Sequence, residues 1–192
     1  MSHSEARERV LQAAERLFAQ RGYTAVTIKD IAAAAGIHHA SLYHHAPDGK
    51  EGLFVEVMTR ILERHREGIA DAVREGGADA RGQLHRIAAW MIHQPPMDMV
   101  RMTLSDMPAI DPASATVLGD LAFEAMIVPI ARVLDEARAR GEIAHGDLGN
   151  IAGAIFSMLQ GLHTLPEAFL ERSRQEMANE LIDVMLAGMK AR

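Results

Sequence analysis

Cysteine is absent from this 192-residue chain, which excludes disulfides, thiolate metal sites and a cysteine nucleophile, and fits a reducing cytoplasm. The first residues, MSHSEARERV, are polar and charged with no apolar signal-peptide core, and nowhere do 18 apolar residues run uninterrupted. The expectation is a soluble, cytoplasmic protein without a membrane span. Also missing are a Gly-rich phosphate loop, an H-E-x-x-H helix, a G-x-S-x-G elbow and a repeated Glu-x-x-His pair, so the common enzyme signatures are not there. Glu63 and Glu67 flank His65, but at spacings of two that place them on different faces of a helix. No internal repeat or low-complexity tract interrupts the chain.

What is present is enough apolar sequence, 48%, to bury a good core. The net charge is −6, which argues against a generally basic nucleic-acid binder, yet the acid is unevenly placed. Residues 1–50 hold six Lys/Arg, five Asp/Glu and five of the ten His, leaving a net of −7 for the rest. Any phosphate-binding face must therefore be local and N-terminal.

Helical periodicity dominates. Val10, Ala13, Ala14, Leu17 and Phe18 share one face of a helix over about 4–20, closed by Gly22. Thr27, followed three residues later by Asp30, has the form of a helix N-terminus, with Ile28, Ile31, Ala32 and Ala35 behind it and Gly36 at its end. A third, short helix fits between His38 and His45, because Pro47-Asp48-Gly49 must stop it. A long fourth helix from Gly49 turns Leu53, Val57, Ile61 and Leu62 toward a core and ends at Gly76-Gly77. Breaks at Pro95-Pro96, Pro108, Asp111-Pro112 and 141–149 leave helices near 80–94, 97–107, 112–140, 148–164 and 171–189, with Pro129 read as a kink. The fold expected is all-α, with about nine helices: an N-terminal three-helix helix-turn-helix domain at 1–54, and a C-terminal helical bundle at 55–192.

The stretch GIHHASLYHHAPDGKEGLF, residues 36–54, packs four of the ten histidines into eight residues. Two helices joined by a Gly-containing turn, the second short and outwardly polar, have the form of a helix-turn-helix, whose second helix enters a DNA major groove. Leu42 is the buried anchor, and His38, His39, Ser41, His44 and His45 spread over the exposed side. His and Ser can bond base edges or phosphates, Tyr43 can donate to a phosphate, and Lys50 can meet one as a point charge. A metal site is the competing reading, but adjacent histidines diverge by about 100° on a helix and no carboxylate within the short helix completes a set. A merely solvated surface is the other.

The run LFAQRGYTAVTIKDIAAAAGI followed by ASLYHHAPDGKEGLF resembles the N-terminal DNA-binding domain of the TetR family of bacterial transcriptional regulators. Phe18, Gly22, Thr27, Ile31-Ala32, Ala35-Gly36, Leu42-Tyr43, His45, Lys50 and Leu53-Phe54 carry the likeness, over about 50 residues. The resemblance implies a homodimeric regulator, a repressor in the simplest case, that binds a palindromic double-stranded operator and is released by a small, mainly apolar effector held in its C-terminal bundle. Carried over by position, Thr27 and Lys50 meet phosphates, Tyr43 and His45 hold the backbone, and His38, His39, Ala40, Ser41 and His44 face bases or nearby phosphates. Two positions depart from the family pattern: Ala46 stands where an aromatic is usual, and Asp48-Gly49 lengthens the turn by one residue.

Beyond residue 54 the candidates rest on composition. AAWMIHQPPMDMVRMTLSDM gathers Trp90, Met91, His93, Met102 and Met107, and methionine adapts to irregular cavities, so this is read as a pocket wall with a Met core as the alternative. Phe123, Met126, Ile127, Phe156, Gln160 and His163 are the further lining. Ile151, Ile155, Leu159 and Leu162 form one stripe, and Met177, Leu181, Val184 and Met185 another. Doubled, the two helices are expected to make the four-helix dimer interface that the resemblance implies; the alternative is packing within one chain. No cofactor and no enzymatic role are expected. The alternative class is a helical metal- or haem-binding protein using His93 and nearby Met, or a small enzyme.

Overall fold

The computed structural model describes residues 3–95 and 97–190. Pro96, half of the expected Pro95-Pro96 break, lies outside the described residues. Ten α-helices are assigned: α1 His3–Arg21, α2 Ile28–Ala35, α3 His39–Leu42, α4 Gly49–Glu75, α5 Ala80–His93, α6 Met99–Arg101, α7 Pro112–Ala122, α8 Val128–Ala139, α9 Leu148–Thr164 and α10 Arg174–Met189. Because α7 runs through a π turn, Phe123–Ile127, into α8, they form one continuous helix and the described residues hold nine. The all-α class stands. No described helix is long and apolar enough to cross a membrane.

The chain divides into two compact units, residues 1–61 with 97–121, and residues 62–96 with 122–192. In the first, α1 buries Val10, Leu11, Ala13, Ala14, Leu17 and Phe18. Gly22 ends it at φ +76°, a left-handed conformation that other residues rarely adopt. The turn that follows brings Tyr23 into an aromatic cluster. Phe18 meets Phe54 edge-on with centroids 5.1 Å apart, and Tyr23 lies 4.9 Å from Phe54. Such pairs add about 0.5–1.5 kcal/mol each beyond the area they bury.

Residues 97–109 also belong to this unit. The sequence suggests one plain helix here, whereas the chain makes a single α turn, a π turn over Met102–Asp106 and a 3-10 turn over Met107–Ala109. Arg101 donates to the carbonyls of Ala19 at 2.9 Å and Phe18 at 3.3 Å at the end of α1, the Phe18 oxygen also accepting from the Gly22 N–H. The buried Asp106 carboxylate accepts from the Tyr23 backbone N–H at 2.9 Å and lies 3.6 Å from the Arg101 Nε. Between α1 and α4, Arg7 forks onto Glu56 and Arg60 reaches Glu8; at this exposure each pair contributes about 0.2–1 kcal/mol.

The second unit is an aliphatic bundle. Leu62 and Ile69 of α4, Leu84 and Ile87 of α5, Ile130 and Leu134 of α8, Ile155 and Leu159 of α9, and Ile182 of α10 are all almost fully buried. Gly68 lets the α5 indole lie against α4, since a Cβ there would stand 2.2 Å from the Trp90 ring. Asp183 of α10 takes a two-pronged bond from Arg81 at 2.7 Å and contacts His85 at 2.9 Å, so α5 and α10 are clamped at one edge.

Just ahead of Pro129, where a kink is expected, the helix makes a π turn. In an unbroken α-helix the proline ring would press on the Ala125 carbonyl and leave it without a donor. Here the Val128 N–H instead reaches back five residues to Phe123, and Pro129 sits in the first turn of the renewed α8, where no N–H is needed.

Candidate nucleic-acid interface and bundle site

Local chemistry fixes the α2–α3 element. Thr27 and Asp30 form a capping box: the Thr27 Oγ1 accepts from the Asp30 N–H at 3.2 Å, and Asp30 accepts from the Thr27 N–H at 2.8 Å. The Thr27 hydroxyl also donates to Asp30 at 2.6 Å, and this bond, then the backbone one, holds the Asp30 carboxyl below the usual carboxylate range. Gly36 closes α2 at φ +67°, with its N–H and that of Ile37 satisfying the last carbonyls. The His38 Nδ1 then accepts from the Ala40 N–H at 3.3 Å, starting α3.

Only four residues of α3 are helical, fewer than the span 38–45 could hold, and the rest is turn leading to Gly49 at φ +67°. Leu42 is fully buried beneath it. Outside lie His38, Ala40, Ser41, Tyr43 and His44, all exposed, with His39 and His45 half-buried; the His39 ring meets Tyr43 edge-on at 5.5 Å. Thr27 is exposed and already engaged with Asp30. Ala46 is buried, so its methyl takes an inward place. Among the described residues no three His, Asp or Glu are grouped as a metal set.

Lys50 is half-buried, and its ammonium donates to the Tyr23 carbonyl at 3.1 Å while standing 4.0 Å over the Tyr23 ring. Sequence reading missed Tyr23 as its holder. The two are 27 residues apart, and no local pattern links them.

The bundle candidates do not converge on one cavity. Trp90 and His93 line a cleft of about 370 Å³ between α4 and α5, with Gly68, Asp71, Glu75, Arg86 and Gln94. Met91, Met126 and Phe156 are core side chains, Ile127, Gln160 and His163 are half-buried, and Phe123 is 56% exposed. Met102 is buried and Met107 half-buried, both within the first unit. The His93 Nδ1 contacts the Ala89 carbonyl at 2.7 Å and the His163 Nε2 that of Met91 at 3.3 Å, so both rings are tied to backbone. A second cleft, about 600 Å³, lies among Asp79, Arg81, Glu142, Ile143, Asp183 and Lys190, and nothing in the sequence pointed to it.

The two interface stripes fare differently. Ile155, Leu159 and Leu162 of α9 are buried within the chain, which corrects the expectation that they face a partner: α9 meets α5, α8 and α10 on that side. Ile151, Met177 and Met185 are half-buried, while Leu181 and Val184 of α10 are 40% and 63% exposed. The inward face of α10 is Ala178, Ile182, Leu186 and Met189.

With this geometry in view, residues 10–57 match the family described as bacterial regulatory proteins, tetR family. The HTH-type transcriptional regulator LmrA of Bacillus subtilis (strain 168) is 38% identical over 82 residues, covering 43% of this chain and 44% of that one. The HTH-type transcriptional repressor KstR2 of Rhodococcus jostii (strain RHA1) is 40% identical over 85 residues, covering 42% and 39%. The chain thus spans less than half the length of these curated relatives. Among solved structures, AibR in complex with isovaleryl coenzyme A and operator DNA superposes at TM-score 0.75 and 19% identity, over 96% of this chain and 97% of that one, a likeness of fold. The motif, its cap geometry and the all-α architecture lead to one statement: residues 10–57 form a helix-turn-helix domain of the kind found in the bacterial regulatory proteins of the tetR family, and the chain as a whole shares the fold of AibR.

Proposed function

We propose that this protein is a cytoplasmic transcriptional repressor, in which residues 1–54 bind DNA and residues 55–192 bind ligand and form the dimer. Two copies bind a palindromic operator through α2 and α3, and a small, mainly apolar effector in the bundle releases them. The observation that carries the reading is the exposed row of His38, Ala40, Ser41, Tyr43 and His44 over the buried Leu42, presented by a helix pair capped at both ends of α2. Ser41 and His39 supply donors and acceptors for base edges, whereas Thr27, Tyr43, His45 and Lys50 are suited to phosphates. KstR2 is a repressor by name and AibR is seen with operator DNA and an acyl-coenzyme A, which supports the same reading here.

Modest positive charge on this face makes one copy a weak binder, so affinity rests on two recognition helices spaced by the dimer. Leu181 and Val184, flanked by Met177 and Met185, are the apolar surface α10 offers a second copy. Trp90, Met91, His93, Phe123, Met126, Ile127, Phe156, Gln160 and His163 are the effector-binding candidates, with Trp90 and His93 already at an open cleft. The test is selection of duplexes from a random-sequence library by purified protein, with sedimentation of the complex. The expected result is enrichment of an inverted repeat bound by an even number of chains. Enrichment of no duplex, or of one bound by a single chain, overturns the reading.

A further inference from the structure

Lys50 has one ammonium donor committed to the Tyr23 carbonyl and two left over, a geometry in which Tyr23 decides where the charge stands. Tyr23 is itself held from the other side. Its N–H is donated to the buried Asp106 carboxylate at 2.9 Å, and Asp106 is paired at 3.6 Å with Arg101, which grips the Phe18 and Ala19 carbonyls. The residue between these partners must be glycine. A Cβ on Gly22 would stand 2.9 Å from the Arg101 Cδ and 3.0 Å from the Asp106 Oδ1. The π turn over Met102–Asp106 sets the register that brings Asp106 under the Tyr23 peptide. A buried carboxylate with one guanidinium and one peptide N–H is a costly arrangement to keep for fold alone, since an apolar residue of similar size does as well in many cores.

We propose that Arg101 and Asp106 are positioning residues for DNA binding, acting through Tyr23 to hold Lys50 at the phosphate backbone. The inference rests on the DNA-binding reading above. The segment 97–109, distant in sequence from α2 and α3, thereby sets how firmly the protein grips phosphate without touching DNA itself.

The test compares Lys50→Ala, Asp106→Ala, Asp106→Asn, Arg101→Ala and the Lys50→Ala/Asp106→Ala pair as full-length proteins. Affinity for the duplex selected by the wild type is measured over a salt series, and amide exchange at Tyr23 without DNA. Lys50→Ala should lower the salt slope by about two, one for each chain of the bound pair, and weaken binding more than roughly tenfold. Asp106→Ala should reproduce most of both, Arg101→Ala part of both, and the pair should be no worse than Lys50→Ala alone. Asp106→Asn keeps an oxygen to accept the Tyr23 N–H and should restore much of the binding and of the slow exchange. An Asp106→Ala protein with the wild-type salt slope, or a pair that weakens binding by the product of the single effects, overturns the proposal. Should the wild type enrich no duplex, the DNA reading is what has failed. The exchange arm then decides alone, and unchanged exchange at Tyr23 in Asp106→Ala overturns the latch itself.

Discussion

The two compact units solve the same packing problem with different materials. The first encloses Phe18, Tyr23 and Phe54 in one ring cluster and holds its short helices with side-chain caps. The second is built chiefly from Leu, Ile, Val, Ala and Met, with Phe156 buried apart from any described ring cluster, and its one described indole lies against a glycine. Side-chain caps occur in both units, on α5, α9 and α10 as well, so the difference lies in the rings, which admit few alternative arrangements and suit a surface that matches a fixed partner. Aliphatic and methionine side chains repack at little cost, which suits the ligand-binding role proposed for the bundle.

The sharpest way to break this contrast is the same substitution in each unit. Leu42→Ala and Leu134→Ala both remove a fully buried side chain and should each cost about 2–5 kcal/mol in denaturant titration. Leu42→Ala should lose DNA binding beyond that cost, because the exposed row sits directly on it, while Leu134→Ala should bind DNA normally wherever it is folded. Next in size is Gly22→Ala, where the left-handed backbone and the crowding by Arg101 and Asp106 should cost about 1–3 kcal/mol.

Caps can be tested against the bundle in the same way. Thr27→Ala removes the hydroxyl half of the box, leaving the backbone N–H of residue 27 on Asp30, and should cost about 1 kcal/mol by thermal or chemical unfolding. It should also flatten the acid limb of the stability curve. The Asp30 carboxyl is held below its unfolded value by Thr27, so its contribution is present above the unfolded value of 3.8 and is lost as pH falls through the lower folded one. In the second unit the equivalent probe is His65, buried on α4, whose imidazolium is disfavoured chiefly by burial and then by Arg64. Its neutral form is the one folded, so stability holds above 6.5 and falls as pH drops below it; His65→Leu should remove that loss in urea titrations at pH 7 and pH 5.5. The smallest effect on folding, within about 0.5 kcal/mol, is expected for Val184→Arg on the exposed face of α10. The same change should shift sedimentation from dimer to monomer.

Local features were legible because their causes are local. The Thr27–Asp30 box, the Gly36 stop, the Gly22 end of α1 and the buried Leu42 each follow from residues within one turn of one another. Periodicity likewise revealed an apolar stripe on α9 and another on α10, but a stripe says only that a face is covered. Which element covers it is a tertiary matter, and the α9 stripe is covered by its own chain. The Lys50–Tyr23 and Arg101–Asp106–Tyr23 contacts span 27 and 83 residues and leave no trace in spacing. Pro129 signalled a disturbance in its helix, and the π turn ahead of it shows what form that takes.

Each of those π turns, over Met102–Asp106 and Phe123–Ile127, carries one residue more than an α-helix needs to cover the same rise. A relative that builds either segment as plain α-helix is one residue shorter at that point. An alignment that forbids gaps within helices slips there, turning every position beyond Ile127 by about 100° and exchanging inward residues for outward ones. Comparison of this chain with a relative that lacks these turns is therefore in register beyond the first hundred residues only when a single-residue gap is allowed inside an unbroken helix.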